Sequence, residues 1–121
     1  MKRILLVEDE LSIIKLLSKK LSERYTVFTA NDGKKGLELA EKEHPDLILS
    51  DINMPVMDGL AMLSELRKSE FGKTVKVVML TNLEPSPAII KEAAKDQPSF
   101  YIIKSNTSLT DLVKKVDGLL M

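Results

Sequence analysis

Four polar clusters follow short apolar runs in this chain of 121 residues. Glu8-Asp9-Glu10 follow Ile4–Val7, Asp51 closes the run that contains Leu47–Leu49, Thr81-Asn82 follow Val75–Leu80, and Lys104-Ser105 follow Phe100–Ile103. Carboxylates brought together repel and call for a cation. An oxygen donor set without His or Cys favours a hard ion, Mg²⁺ or its analogue Mn²⁺. A threonine hydroxyl and a lysine ammonium are donors suited to phosphate oxygens. A carboxylate can attack phosphorus and become an acyl phosphate, while a metal and a lysine stabilise charge on the group in transfer.

Taken singly, each of these residues has an ordinary role. Glu8-Asp9-Glu10 suit the positive end of a following helix. Asp51 reads as a turn residue or N-cap, and Asp58-Gly59 as a turn. Thr81 is a common strand or cap residue, Lys104 is one of many surface lysines, and Tyr101 beside Phe100 reads as core packing. The functional reading rests on the acidic and donor groups falling at the same end of four different strands.

The elements that must position them follow from periodicity. Five apolar runs (Ile4–Val7, Tyr25–Ala30, Leu47–Leu49, Val75–Leu80 and Phe100–Ile103) predict five strands. Three of them are nearly continuous in Ile, Leu and Val, as in strands covered on both faces. Helical stripes lie between and after them: Leu11, Ile14, Leu17 and Leu21; Leu37 and Ala40; Leu60, Leu63 and Leu66; Ile89, Ile90, Ala93 and Ala94; and Leu109, Leu112, Val113, Val116 and Leu120. Ser86-Pro87 reads as an N-cap with proline at the first helical position, and Ser108 to Asp111 as a capping box. Asn31 or Asp32 caps the second helix. Five βα units in succession predict a parallel sheet with helices on both faces. In such sheets function gathers at the carboxyl ends of the strands, near the switch point in strand order.

Composition sets the limits. A chain of 121 residues, 44% hydrophobic and 30% charged, suits one soluble globular domain spanning residues 1–121. Basic and acidic residues balance at 18 each, which argues against direct nucleic-acid binding. No cysteine is present, so disulfides and thiol chemistry are excluded, in keeping with a cytoplasmic protein. The start, "MKRILLVEDE", is neither a signal peptide nor a membrane span.

The sequence resembles the receiver domain of response regulators in two-component signalling. The residues that carry the resemblance are "ILLVEDE" with Glu8 and Asp9, "LILSDINMPVMDG" with Asp51, "VVMLT" with Thr81, and "YIIK" with Tyr101 and Lys104. The resemblance implies a doubly wound (βα)5 fold, a flavodoxin-like three-layer sandwich whose five-stranded parallel sheet has the order 2-1-3-4-5. It implies that Asp51 accepts a phosphoryl group from a sensor histidine kinase or phosphotransfer protein. Glu8, Asp9, Asp51 and the backbone carbonyl of Asn53 would hold Mg²⁺. Thr81 and Lys104 would bond phosphoryl oxygens, and Tyr101 would turn inward as Thr81 moves. The surface of the fourth helix, fifth strand and last helix would then change toward a downstream protein, an output domain or a second copy of the chain. Pro55 and Gly59 would shape the loop over the site. The protein would be a signalling phosphoacceptor that assists its own phosphorylation and dephosphorylation, not an enzyme with a separate substrate. The last stripe reaches Leu120 and the sequence stops at Met121, which suits a stand-alone receiver or a piece of a longer regulator.

Some positions depart from the family. Asn82 stands where Ala, Ser or Gly is common, and its larger amide narrows access to the site. Asn53, Asn82 and Leu83 are therefore expected to set rates. Gln97-Pro98 replace a frequent Gly-Ala pair, and Ser105 replaces a frequent proline. These changes leave open a receiver-like interaction module that works without phosphate. An aspartyl-nucleophile phosphatase would place its nucleophile after the first strand with a second acid two residues on, where this chain has Asn53. A flavin or nucleotide binder would need a Gly- or Ser/Thr-rich phosphate loop after the first strand, where this chain has "EDELS".

Overall fold

The apolar runs do form strands, and among the described residues helices follow four of them. The structure, a computed structural model, describes residues 1–81, 100–103 and 107–120, with the backbone alone for residues 81 and 100–103. In order these are β1 (Arg3–Val7), α1 (Leu11–Leu21), β2 (Thr26–Ala30), α2 (Gly33–Glu43), β3 (Leu47–Asp51), α3 (Gly59–Leu66), β4 (Lys76–Thr81), β5 (Phe100–Ile103) and a C-terminal helix, Leu109–Leu120. The expected helix containing Ile89 and Ala94 lies outside the described residues.

All pairings are parallel and the strand order is β2-β1-β3-β4-β5. Successive side chains of a strand face opposite ways, and here both faces are covered. Ile4 and Leu6 of β1, Leu47 and Leu49 of β3, and Val78 and Leu80 of β4 join Leu17 and Leu21 of α1 and Leu112, Val116 and Leu120 of the C-terminal helix. Leu5 and Val7, Ile48, and Val77 and Met79 point the other way, onto Ala40 of α2 and Met62, Leu63 and Leu66 of α3. This double burial is why the central strands read as unbroken apolar runs.

Local signals fix the helix starts. The Asp32 carboxylate accepts from the Lys35 amide at 2.8 Å, so Asp32 rather than Asn31 caps α2. Asp58 does the same for α3 through the Ala61 amide at 2.8 Å. The Ser108 hydroxyl accepts from the Asp111 amide at 3.1 Å at the start of the C-terminal helix. The stripe expected on α1 needs correction. Leu11 is 67% exposed, and the face that packs inward is Ile13, Leu17 and Leu21, spaced i, i+4, i+8. The Leu11–Ile14 part of the pattern had the right period but sat on the neighbouring face.

At the amino ends of the strands the C-terminal helix is clamped by polar groups. Asp117, buried in its last turn, accepts hydrogen bonds from the Tyr25 hydroxyl and, at 2.7 Å, from the Arg24 guanidinium. Burial, together with the hydrogen bond to the Asp117 carboxylate and its charge, pushes the Tyr25 phenol up to about 12. Lys76, at the start of β4, donates to the Leu119 carbonyl and satisfies one acceptor of the helix end.

Candidate functional site

The register of β1 and β3 builds the site. Val7 pairs with Ser50, so the next residues, Glu8 and Asp51, emerge side by side from adjacent strands. These strands flank the point where the order reverses: from β1 the chain goes outward to β2, then returns to β3 on the other side. Asp51 is the final residue of β3, so its reading as a helix cap or turn residue is replaced by that of a strand-end carboxylate.

Glu8 is 1% exposed and Asp51 6%, while Asp9 is open to solvent. One carboxylate oxygen from each of the three lies within 4.8 Å of the others. Asp51 is held in place: one carboxylate oxygen accepts from the Ile52 amide at 2.8 Å, and its carbonyl accepts from the buried Ser50 hydroxyl at 2.9 Å. Glu8 accepts from the Glu10 amide at 3.3 Å. Glu10 itself occupies the N-cap position of α1 without capping it through its side chain.

The donor set fits a magnesium ion. Bonds of about 2.0–2.1 Å in an octahedron place neighbouring ligand oxygens about 3 Å apart and opposite ones about 4 Å apart. Three carboxylates within 4.8 Å need little closure to reach that spacing. Two of the three come from buried positions, where gathered negative charge is costly without a cation.

The loop after Asp51 is tied at its root. The Gly59 amide donates to the Ile52 carbonyl at 2.8 Å, and a side chain at Gly59 would come within 2.1 Å of the Asp51 carbonyl oxygen. Only glycine allows so close an approach. A second tie runs from the Gly33 amide to the Met57 carbonyl at 3.0 Å, where a Cβ would again collide, at 2.2 Å. At the tip, the Met57 amide donates to the Pro55 carbonyl at 2.7 Å, which closes a γ-turn on Val56. Val56 has φ 68°, a conformation that a β-branched residue adopts at a cost of about 1–3 kcal/mol.

Other expected site residues are placed less fully. Thr81 ends β4, with Ile103 as its partner in β5, and Tyr101 lies in β5 opposite Met79; their side chains are not described. Asn53 lies exposed in the loop after β3. Asn82, Leu83, Lys104 and Ser105 lie outside the described residues, as do Gln97 and Pro98. Sequence reasoning missed Gly33, whose importance shows only in three dimensions, and Val56, which "PVMDG" flags only as a β-branched residue among turn formers. It also missed Asp117, an acid inside the last apolar stripe beside Val116.

Residues 4–117 match the family described as response regulator receiver domain, and the chain belongs to that family. The Vibrio cholerae chemotaxis protein CheY4 superposes with a TM-score of 0.89 at 32% identity, covering 98% of each chain. The transcriptional regulatory protein GlrR of Escherichia coli is 34% identical over 118 residues, which are 97% of this chain but 26% of that protein. The curated relatives matched extend well beyond this domain, since the chain spans about a quarter to a third of their length. A further neighbour is the receiver domain of the sensor histidine kinase PA1611 of Pseudomonas aeruginosa, solved with a magnesium ion coordinated in its active-site cleft. It has a TM-score of 0.82 at 26% identity, covering 98% of this chain and 96% of that one. Among the described residues no helix is long and apolar enough to cross a membrane.

Proposed function

We propose that this chain is a phosphorylation-dependent signalling switch in which Asp51 is the phosphoacceptor. The observation that carries this reading is the meeting of the Glu8, Asp9 and Asp51 carboxylates within 4.8 Å at the switch point of the sheet. An Asp51 oxygen attacks the phosphorus of a phosphohistidine on a sensor kinase or phosphotransfer protein. The P–N bond breaks, the imidazole leaves with its electron pair, and an aspartyl phosphate remains. Glu8, Asp9, Asp51 and the Asn53 carbonyl would hold Mg²⁺, which when bound supplies positive charge to the oxygens of the group in transfer.

The Ile52 amide donates to one Asp51 oxygen and so orients the carboxylate at the strand tip. Thr81 and Lys104 then bond phosphoryl oxygens, and Tyr101 follows Thr81 inward. The change reaches the face formed by β5 and its neighbouring helices, where a downstream protein, an output domain or a second copy reads it. Asn53, Asn82 and Leu83 set how fast the group arrives and leaves. This is the behaviour of a two-state element biased by one covalent group, in a protein of the cytoplasm.

Intact mass after incubation with acetyl phosphate and Mg²⁺ tests the reading. One phosphoryl adduct is expected, absent from Asp51→Asn and absent when the metal is chelated. An unaltered chain that stays unmodified, also after Asn82→Ala opens the site, would mean that the domain signals without phosphate.

A further inference from the structure

Val56 violates a local rule and gains nothing for it within the fold. Its φ of 68° is the left-handed region, which Gly or Asn enters easily and a β-branched residue does not. Strain of this kind persists where the surroundings impose it. The surroundings here do impose it. The loop is rooted at Asp51 through Gly59, docked on α2 through Gly33, and closed at its tip by the Met57 to Pro55 hydrogen bond. Buried packing does not explain the choice of valine, because the side chain is 79% exposed. Pro55 before it is exposed as well. The γ-turn therefore presents two apolar side chains to solvent at the tip of a loop whose base is the acceptor strand.

We infer that Val56 is a specificity-determining residue, held outward by the γ-turn to contact the protein that delivers phosphate to Asp51. The inference rests on the reading of Asp51 as phosphoacceptor. A protein donor must bring its phosphohistidine to Asp51, the residue from which this loop departs, and an exposed valine held by the turn offers it apolar area at little further ordering cost. A small donor such as acetyl phosphate enters without touching it. Val56 thus distinguishes donors by size and surface, and does not touch the reacting atoms.

The experiment compares two donors on three chains: the unaltered protein, Val56→Asn, which tolerates the same φ, and Val56→Ile, which keeps the branched apolar surface. One donor is acetyl phosphate. The other is the phosphorylated catalytic core, from a panel of histidine kinases, that transfers fastest to the unaltered chain. Val56→Asn is expected to lower transfer from the kinase core about tenfold, the loss that fits one apolar contact made polar. Acetyl phosphate labelling should stay within about twofold, and Val56→Ile should transfer normally. Equal loss with both donors would mean that Val56 acts on Asp51 through the loop, and would overturn the assignment. Unchanged transfer to Val56→Asn would overturn it too, as would labelling by acetyl phosphate with transfer from none of the cores. Failure of acetyl phosphate to label Asp51 in both the unaltered chain and Asn82→Ala would instead remove the reading beneath it.

Discussion

Buried carboxylates stand at both ends of the sheet, Asp117 at one and Glu8 and Asp51 at the other, and they are treated differently. At the amino ends, Asp117 meets a phenol and a guanidinium, both supplied by the turn before β2. At the carboxyl ends, Glu8, Asp9 and Asp51 meet one another. The first arrangement is complementary and serves the fold, since a buried acid with its donors ties a helix to a strand. The second brings like charges together, which folding alone does not favour. A cluster that folding would disperse is the better marker of chemistry.

Breaking each end separately sharpens this contrast. The largest effect should come from Gly59→Ala, whose new Cβ would lie 2.1 Å from the Asp51 carbonyl oxygen. The loop must leave its root, at about 3 kcal/mol in urea unfolding, and acetyl phosphate labelling should fall with it. Asp117→Ala strands the Tyr25 hydroxyl in a buried position and should cost about 2 kcal/mol. Its labelling rate should match that of the unaltered chain; a matching loss of labelling would show that the two ends are coupled.

The smallest effect is one of pH. The folded chain keeps the Tyr25 proton to about 12, while the unfolded chain releases it near 10.0. Unfolded molecules therefore bind fewer protons in that window, and stability falls as pH rises from about 10 to about 12. Tyr25→Phe should flatten this decline. Melting temperatures of both chains across the window measure the difference.

Much of this was readable from residues alone. The continuous Ile, Leu and Val runs gave the strands because both faces of the sheet are covered, and Asp32 and Ser108 announced helix starts through chemistry confined to a few neighbours, whereas Asp58, expected in a turn, caps α3. The acids at the ends of β1 and β3 were legible because strand ends of one parallel sheet share one side. The inward face of α1 was not. Leu11, Ile13, Ile14, Leu16 and Leu17 are all apolar, so period alone could not choose the face. Tyr25 with Asp117 was hidden by a separation of 92 residues. Gly33 was hidden because what it accommodates is the carbonyl of Met57, and a sequence does not show where a distant backbone passes.

The loop between Asp51 and Gly59 acts as a ruler. Its two amide-to-carbonyl ties, Gly59 to Ile52 and Gly33 to Met57, fix how many residues fit between them. The fold tolerates changes in the side chains on its outer surface, but not in its length. One residue added there leaves a tie unmade or pushes a carbonyl into a glycine. The turn between α3 and β4 is tied as well, by Arg67 on the Gly72 and Val75 carbonyls, by the Gly72 amide on the Ser69 hydroxyl and by the Lys73 amide on the Ser69 carbonyl. Variation in chain length therefore has no room beside Asp51.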